Sequence, residues 1–494
     1  MKFNYTPQRT QSSHRTLGGV FFSVSSVANA VLVCAGTLWL SACTVGPKYE
    51  RPPLAVTPPA YKESKDWKIA EPKDGVLRGK WWMIFGDPLL NELAEKIELS
   101  NQDLRVAEAQ YRRAQALTRQ ARAGLMPTVT GTVDVTRSGG GGKRDTATNY
   151  DLSGRASWDA DLWGRVRKSI ESGVATEAAS AADLESLRLS LQTELVLDYL
   201  QMRVLDAQRH LLDETADAFA KSLQLTRNRY EAGLAGRVDV AQAEAQLKST
   251  QAQAIDTGVQ RAQLEHAIAV LQGRAPSELA IAPAPLKVAM PSIPTGLPSE
   301  LLERRPDIAA AERRVAAANA QIGVAKAALY PSLTLSASAG LQSSTFSNWL
   351  SLPSRVWAFG PALAQTLFDA GARRAVTDQA IASHEATTAT YRQTVLSAFQ
   401  DVEDSLVALR ILEQESVVQA DAVKAARQSL ELTNNQYKAG IVSYLNVVTA
   451  QTTLLNNERT ALTLLGRRLT AAAQLVKALG GGWTVEAKTA VIKN

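Results

Sequence analysis

A helix that stops at a proline and becomes an alternating strand occurs twice in this chain, and few folds accommodate it. Residues 304–341 hold the clearer copy. Ile308, Ala311, Val315, Ala318, Ile322 and Ala325 recur at steps of three and four, marking one apolar helix face. Pro331 stops the helix, because proline has no N–H to continue the ladder. Beyond it the period becomes two: Leu333, Leu335, Ala337, Ala339 and Leu341 alternate with Ser332, Thr334, Ser336, Ser338 and Gly340. Asp103 to Glu108 and Leu125-Met126-Pro127 match Asp307 to Glu312 and Leu329-Tyr330-Pro331 at a constant spacing of 204 residues. Val129, Gly131, Val133 and Val135 then alternate with Thr128, Thr130, Thr132 and Asp134. One large module is therefore written twice.

Each copy adds a second strand and a long hairpin. In the first, Tyr150, Leu152, Ala156, Trp158, Ala160 and Leu162 alternate with Asp151, Ser153, Arg155, Ser157, Asp159 and Asp161. Such alternation fits lipid on one side and a wet lumen on the other, with Asp151, Arg155, Asp159 and Asp161 lining the lumen. The second copy is read with Trp357, Phe359, Leu363 and Leu367 on one side and Arg355, Gly360, Ala362 and Ala364 on the other. From Gly164 to about Tyr230 there is no proline, and Leu184, Leu187, Leu191, Leu195, Tyr199, Met202 and Leu205 form a helical stripe. A helix that long reaches roughly 100 Å at about 1.5 Å per residue. The glycine turn around Tyr230, Gly233, Gly236 and Asp239 breaks it, and a returning helix makes a coiled-coil hairpin. The turn around Tyr437, Gly440, Leu445 and Asn446 repeats the first at a spacing of 207.

The domain plan follows. Residues 1–42 are a lipoprotein signal peptide: Lys2, Arg9 and Arg15, an apolar run, then Leu40-Ser41-Ala42 before Cys43. They hold no acid and supply half of the formal charge of +6, so the basic balance does not argue for nucleic acid. Cys43 resembles the acylated cysteine of a bacterial lipobox, and Thr44 after it favours the outer membrane; the competing reading is an N-terminal transmembrane helix. Residues 43–80 form a proline-rich extended arm. The first repeat spans 81–274 and opens on a helix capped by Asp87 with Pro88 at its first turn, running to about Met126. A proline-rich linker at 275–298, the second repeat at 299–482 and a tail at 483–494 complete the chain.

Four strands cannot close a barrel. An open edge in hydrocarbon leaves backbone groups unpaired at several kcal/mol each, and single-chain barrels start at about eight strands. Strands must be pooled between chains, and the hairpins need the same neighbours to cover their apolar stripes. Chemistry, by contrast, is missing from the sequence. His14, His210, His266 and His384 have no second histidine or cysteine at helical spacing, and no serine stands in a nucleophile elbow. The expectation is a non-enzyme without cofactor or metal.

WWxxFGDPxLNxL at 81–93, RRPDIxxAE at 304–312, ANAQIGVAKAALYPSL at 318–333 and the paired YxAG turns resemble the outer-membrane factors of tripartite efflux systems. More narrowly they resemble the lipoprotein branch serving RND-type pumps. The resemblance implies an α+β membrane protein: a homotrimer with a twelve-stranded outer-membrane β-barrel, continued by a periplasmic α-helical barrel and circled by a belt of linker and chain ends. It further implies a periplasmic adaptor and an inner-membrane RND transporter as partners, and a passive exit duct for small molecules such as drugs. By the same resemblance Tyr230, Gly233, Asp239, Tyr437 and Gly440 meet the adaptor. Tyr444, Leu445, Asn446 and Thr449 form the periplasmic aperture. Relatives often carry aspartates where Asn446 and Thr449 stand here, so gating is expected to rest on packing and hydrogen bonds rather than charge. A duct for protein secretion and an adhesive coiled-coil surface lipoprotein are the alternatives.

Overall fold

A computed structural model describes residues 44–53, 60–62, 80–139, 146–287, 290–291 and 304–481. The stretch 1–42 read as a signal peptide, Cys43 and the tail from 483 lie outside these residues. After a short turn of helix at Trp81–Phe85 come α1 (Pro88–Ser100), α2 (Gln102–Ala123), β1 (Thr128–Ser138), β2 (Ala147–Asp159), α3 (Arg165–Glu231) and α4 (Arg237–Leu271). The second repeat gives α5 (Pro306–Ala327), β3 (Ser332–Ser343), β4 (Arg355–Ala364), α6 (Ala372–Lys438) and α7 (Tyr444–Ala478). Among the described residues no helix is long and apolar enough to cross a membrane.

Local chemistry explains most boundaries. Asp87 caps α1, accepting from the amides of Leu89 and Leu90, with Pro88 in the first turn. The expected single helix to Met126 is instead broken at Asn101. Its buried side chain accepts from Leu104 N–H and donates to Leu271 O, so a cap replaces continuity. Strand β2 ends at Asp159, earlier than the alternation suggested. Asp161 lies beyond it, at φ 28°, accepting from the amides of Val166 and Arg167 to cap α3. Asp369 repeats the device at the start of α6, accepting from Gly371 and Arg373.

The four strands form one antiparallel sheet in the order β1-β2-β3-β4. The central pair, β2 with β3, joins the two repeats, leaving β1 and β4 as edges. Below the sheet, α3 and α5 occupy the middle, α2 and α4 flank one side, and α6 with α7 the other. The expected apolar face of α5 is buried except for half-buried Ala318. Ala310, Asn319, Ala320 and Ala327 are buried as well, because α5 is packed between α3 and α6.

The largest core lies midway down the hairpins, where Trp81, Trp82 and Phe85 pack with Leu195, Tyr199, Ile268 and Leu475. An ionic lattice fastens the linker there. Asp206 accepts from Arg203 at 2.8 Å, from Arg261 at 2.6 Å and from the amide of Ala284 at 3.3 Å. Arg203 also donates to Ala282 O, and Glu265 accepts from the amide of Ile281. Tyr199 accepts from Arg203 and donates to Asp87, and burial, then the bond to Asp87, pushes its phenol up to about 12. The RRPDI motif acts at the same level: Arg305 grips Asp307 with two nitrogens and reaches Asp401 on α6 and Ala478 O at the end of α7.

Candidate functional site

Two places can act on something outside the chain: the far tips of the hairpins and the faces of the sheet. At the tips, Gly233 and Gly440 stand at φ 72° and 76°, the left-handed conformation that ends a helix and that side chains resist. Both turns therefore have the same backbone. Their side chains do not share a fate.

Tyr437 and Tyr444, assigned above to the adaptor surface and the aperture, are both buried. With Val447 they pack on Phe219, Leu223, Ala243 and Leu247 of the first hairpin, their rings 5.4 Å apart. Arg229 lies 4.8 Å above the Tyr437 ring and donates to Lys438 O at 3.1 Å. The Tyr437 hydroxyl reaches Thr226, and Tyr444 shares a 3.3 Å hydrogen bond with Ser222. Burial is the first cause holding the Tyr444 phenol above its usual range. These two tyrosines join the hairpins because the end of α6 and the start of α7 turn that side toward α3 and α4, which periodicity alone does not reveal. Arg229 was missed, although its counterpart at the repeat spacing is Gln436, a difference visible in the sequence.

The other tip residues are outward. Tyr230 is exposed, and Asp239 uses one carboxylate oxygen to accept from the amide of Gly236, 3.1 Å away. Leu234, Val238 and Ile441, none singled out from sequence, are exposed beside them. Apolar residues inside a glycine turn were the available signal. Leu445, Asn446 and Thr449 are exposed on α7, with the Thr449 hydroxyl donating to Leu445 O. Asn446 and Thr449 join Thr453, Ser429 and Thr433 in a cleft of about 250 Å³ that has hydroxyls and an amide but no carboxylate.

The sheet register sorts its residues onto two faces. Thr130, Thr132 and Asp134 lie opposite Arg155, Ser153 and Asp151, which lie opposite Ser338, Gly340 and Gln342. This is the polar face. Asp151 accepts from Ser153 at 2.7 Å, and Asp159 accepts from Thr334 at 3.0 Å and Arg165 at 3.2 Å. Asp161, past the strand, is at the rim rather than on this face. The other face carries Val133, Val135, Leu152, Tyr150, Leu335, Leu341, Trp357 and Phe359. Arg355 pairs with Leu341 and so belongs to this apolar face, against the expectation, because it is two residues from Trp357 and the period is two. Leu367 lies past the end of β4. Aromatics mark both ends of the sheet: Tyr150 with Phe346 and Trp349 at the loop end, and Trp163 stacked on Tyr330 at the helix end.

The outer membrane efflux protein family model matches residues 93–274 and 297–481. The chain is 31% identical over 466 residues to the probable efflux pump outer membrane protein TtgC of Pseudomonas putida, covering 90% of this chain and 93% of that protein. It is 34% identical over 420 residues to the pyoverdine export outer membrane protein OpmQ of Pseudomonas aeruginosa, covering 82% and 87%. Among solved structures, the outer-membrane channel OprN superposes with a TM-score of 0.84 at 32% identity, covering 89% of this chain and all of that one.

Proposed function

The chain belongs to the outer membrane efflux protein family and is an outer-membrane efflux channel, and from that premise we propose that three copies close the passive exit duct of a tripartite pump. The observation that carries this reading is that sheet and helices end on the same flanks. Edge strand β1 stands above α2, and edge strand β4 above α6. Those helix flanks hold exposed apolar side chains: Val106 and Leu117 on α2, Ile255 and Val259 on α4, Val376, Leu396 and Ile411 on α6. A neighbouring copy on each flank pairs both edges and covers these residues in one step. The polar sheet face then surrounds the lumen, with Asp151, Arg155 and Asp159 on it and Asp161 at its inner rim. The apolar face meets lipid.

The exposed turn residues suit a periplasmic adaptor bound to an inner-membrane RND transporter. Tyr230, Leu234, Val238, Asp239 and Ile441 offer an apolar surface with one carboxylate, presented by Gly233 and Gly440. Opening requires the second hairpin to leave the first, so Arg229 and the Tyr437–Tyr444 core act as the latch. The aperture formed by Leu445, Asn446 and Thr449 is uncharged, which supports gating by packing. The arm supports lipid anchoring at Cys43. Thr44, next in sequence, packs on Gly164 so closely that a β-carbon there would meet its Cγ2 at 2.6 Å, and the amide of Val45 donates to Trp163 O at the inner rim. An acyl chain attached one residue earlier enters the bilayer at that level. The cargo class is small molecules.

Purified protein in mild detergent should cross-link as a trimer and form pores in planar bilayers. A monomer that keeps its full β content and conducts unaided would overturn the reading.

A further inference from the structure

Every described strand residue on the apolar face is uncharged except two. Arg137 is the next-to-last residue of β1 and Arg355 the first of β4. Both are exposed, both sit at the loop end, and both are on the edge strands. Their level is fixed by the aromatic cluster. Arg137 is one step along its face beyond Val135, the partner of Tyr150, whose ring packs on Phe346 and Trp349; Arg355 lies opposite Leu341, whose carbonyl accepts from Trp349 Nε1 at 3.2 Å. Aromatic girdles stand at headgroup level, so the Arg355 guanidinium stands at the girdle and that of Arg137 just outside it. The inner end of the same face has no such cations: Val129, Trp158, Leu333 and Leu363 occupy it. Arg137 donates one long hydrogen bond, 3.5 Å to Thr146, and neither arginine reaches a carboxylate among the described residues.

We propose that Arg137 of one copy and Arg355 of the next flank each barrel seam and together bind phosphate on the headgroup of an outer-leaflet glycolipid. The proposal rests on the closed trimer above, because only closure sets β1 beside β4. The chemistry is a match of shapes: a guanidinium donates two parallel hydrogen bonds to a phosphate, with charge assisting. A cation on a lipid-facing strand costs about 2–4 kcal/mol at mid-bilayer and about 0–1 at the interface. Placement at the outer rim alone therefore puts both charges where a phosphorylated lipid surface compensates them. The acyl chains of the same lipid would lie against Trp357, Phe359 and Val135 below.

The test uses the full-length trimer in nanodiscs. Diphosphorylated lipid A, its dephosphorylated form and inorganic phosphate are added in turn, and trimer melting and lipid retained by native mass spectrometry are read. Wild-type protein should be stabilised and should retain only the phosphorylated lipid. Each of Arg137→Gln and Arg355→Gln should weaken retention about tenfold, as loss of a charged hydrogen-bonding partner does. Arg355→Lys should restore part of it. Equal effects of the two lipid forms on the wild type would overturn the proposal without reference to any variant. Unchanged retention in the double variant, or an equal response to inorganic phosphate, would also overturn it. Trimer formation and conductance of the same samples report separately on the duct, so failure of lipid binding with an intact conducting trimer leaves that reading standing.

Discussion

The two repeats have the same skeleton and different surroundings. Helices α3 and α6 are both 67 residues long, α4 and α7 both 35, and α2 and α5 both 22. Yet α2 buries only Leu104, Ala114 and Thr118, whereas α5 buries twelve of its 22 residues. The side chain of Asp206 is 3% exposed under the linker; its counterpart Glu413, which meets Arg468 at 3.6 Å, is 71% exposed. Tyr437 is 5% exposed and its counterpart Tyr230 is 46% exposed. A repeated sequence thus reproduces helix lengths and caps, which depend on near neighbours. Burial depends on which flank of the chain an element occupies, and the two copies cannot occupy the same one.

The sharpest way to break this comparison is at the linker lattice. Asp206→Ala strands Arg203 and Arg261 in a buried site and should cost about 3–5 kcal/mol. Glu413→Ala, at the matching position, should stay within about 0.5 kcal/mol. Thermal unfolding of both in detergent checks this, and equal losses would mean the linker does not distinguish the repeats. At the tips, Tyr437→Ala removes a packed ring and should cost about 3 kcal/mol while raising single-channel conductance. Tyr230→Ala should leave unfolding and conductance unchanged and weaken only adaptor capture.

The smallest effect concerns Asp198, whose counterpart is Ser405, hydrogen-bonded to Asp401 O. Burial first, then the neighbouring Glu194, pushes the Asp198 carboxyl up to about 6. The folded chain therefore binds a proton more tightly than the unfolded one, and stability falls as pH rises from about 4 to 6. Asp198→Ser should stabilise the protein at pH 7 by about 1 kcal/mol or less once solvent screening is allowed for, and not at all below about pH 4. A pH series of melting temperatures that runs parallel for wild type and variant would contradict this.

Much of the fold was legible because its signals are local. Pro331 ends a helical pattern whatever surrounds it, and Gly233 and Gly440 turn the chain because few residues accept positive φ. The four strands announced themselves by period two, and Asp87 by its place before Pro88. The errors also have local causes. Asn101 looked like an ordinary polar helix residue, and its capping role shows only when Leu271 O lies beside it. Asp161 kept the alternation of β2 by parity alone, while its carboxylate was satisfied by amides beyond the strand. Arg355 was put on the side of Gly360, Ala362 and Ala364, although spacing sets it beside Trp357.

By itself the sequence determined the duplicated module, its helices and strands, its turns and the need for neighbouring chains, since each follows from periodicity, backbone sterics or unpaired hydrogen bonds. Tertiary structure alone decided that Tyr437 and Tyr444 face inward while Tyr230 faces out, and that Asp206 is sealed while Glu413 is not. It also paired β2 with β3 across the two repeats and left β1 and β4 as edges. Periodicity fixes which residues share a face, but only packing in three dimensions fixes what that face meets.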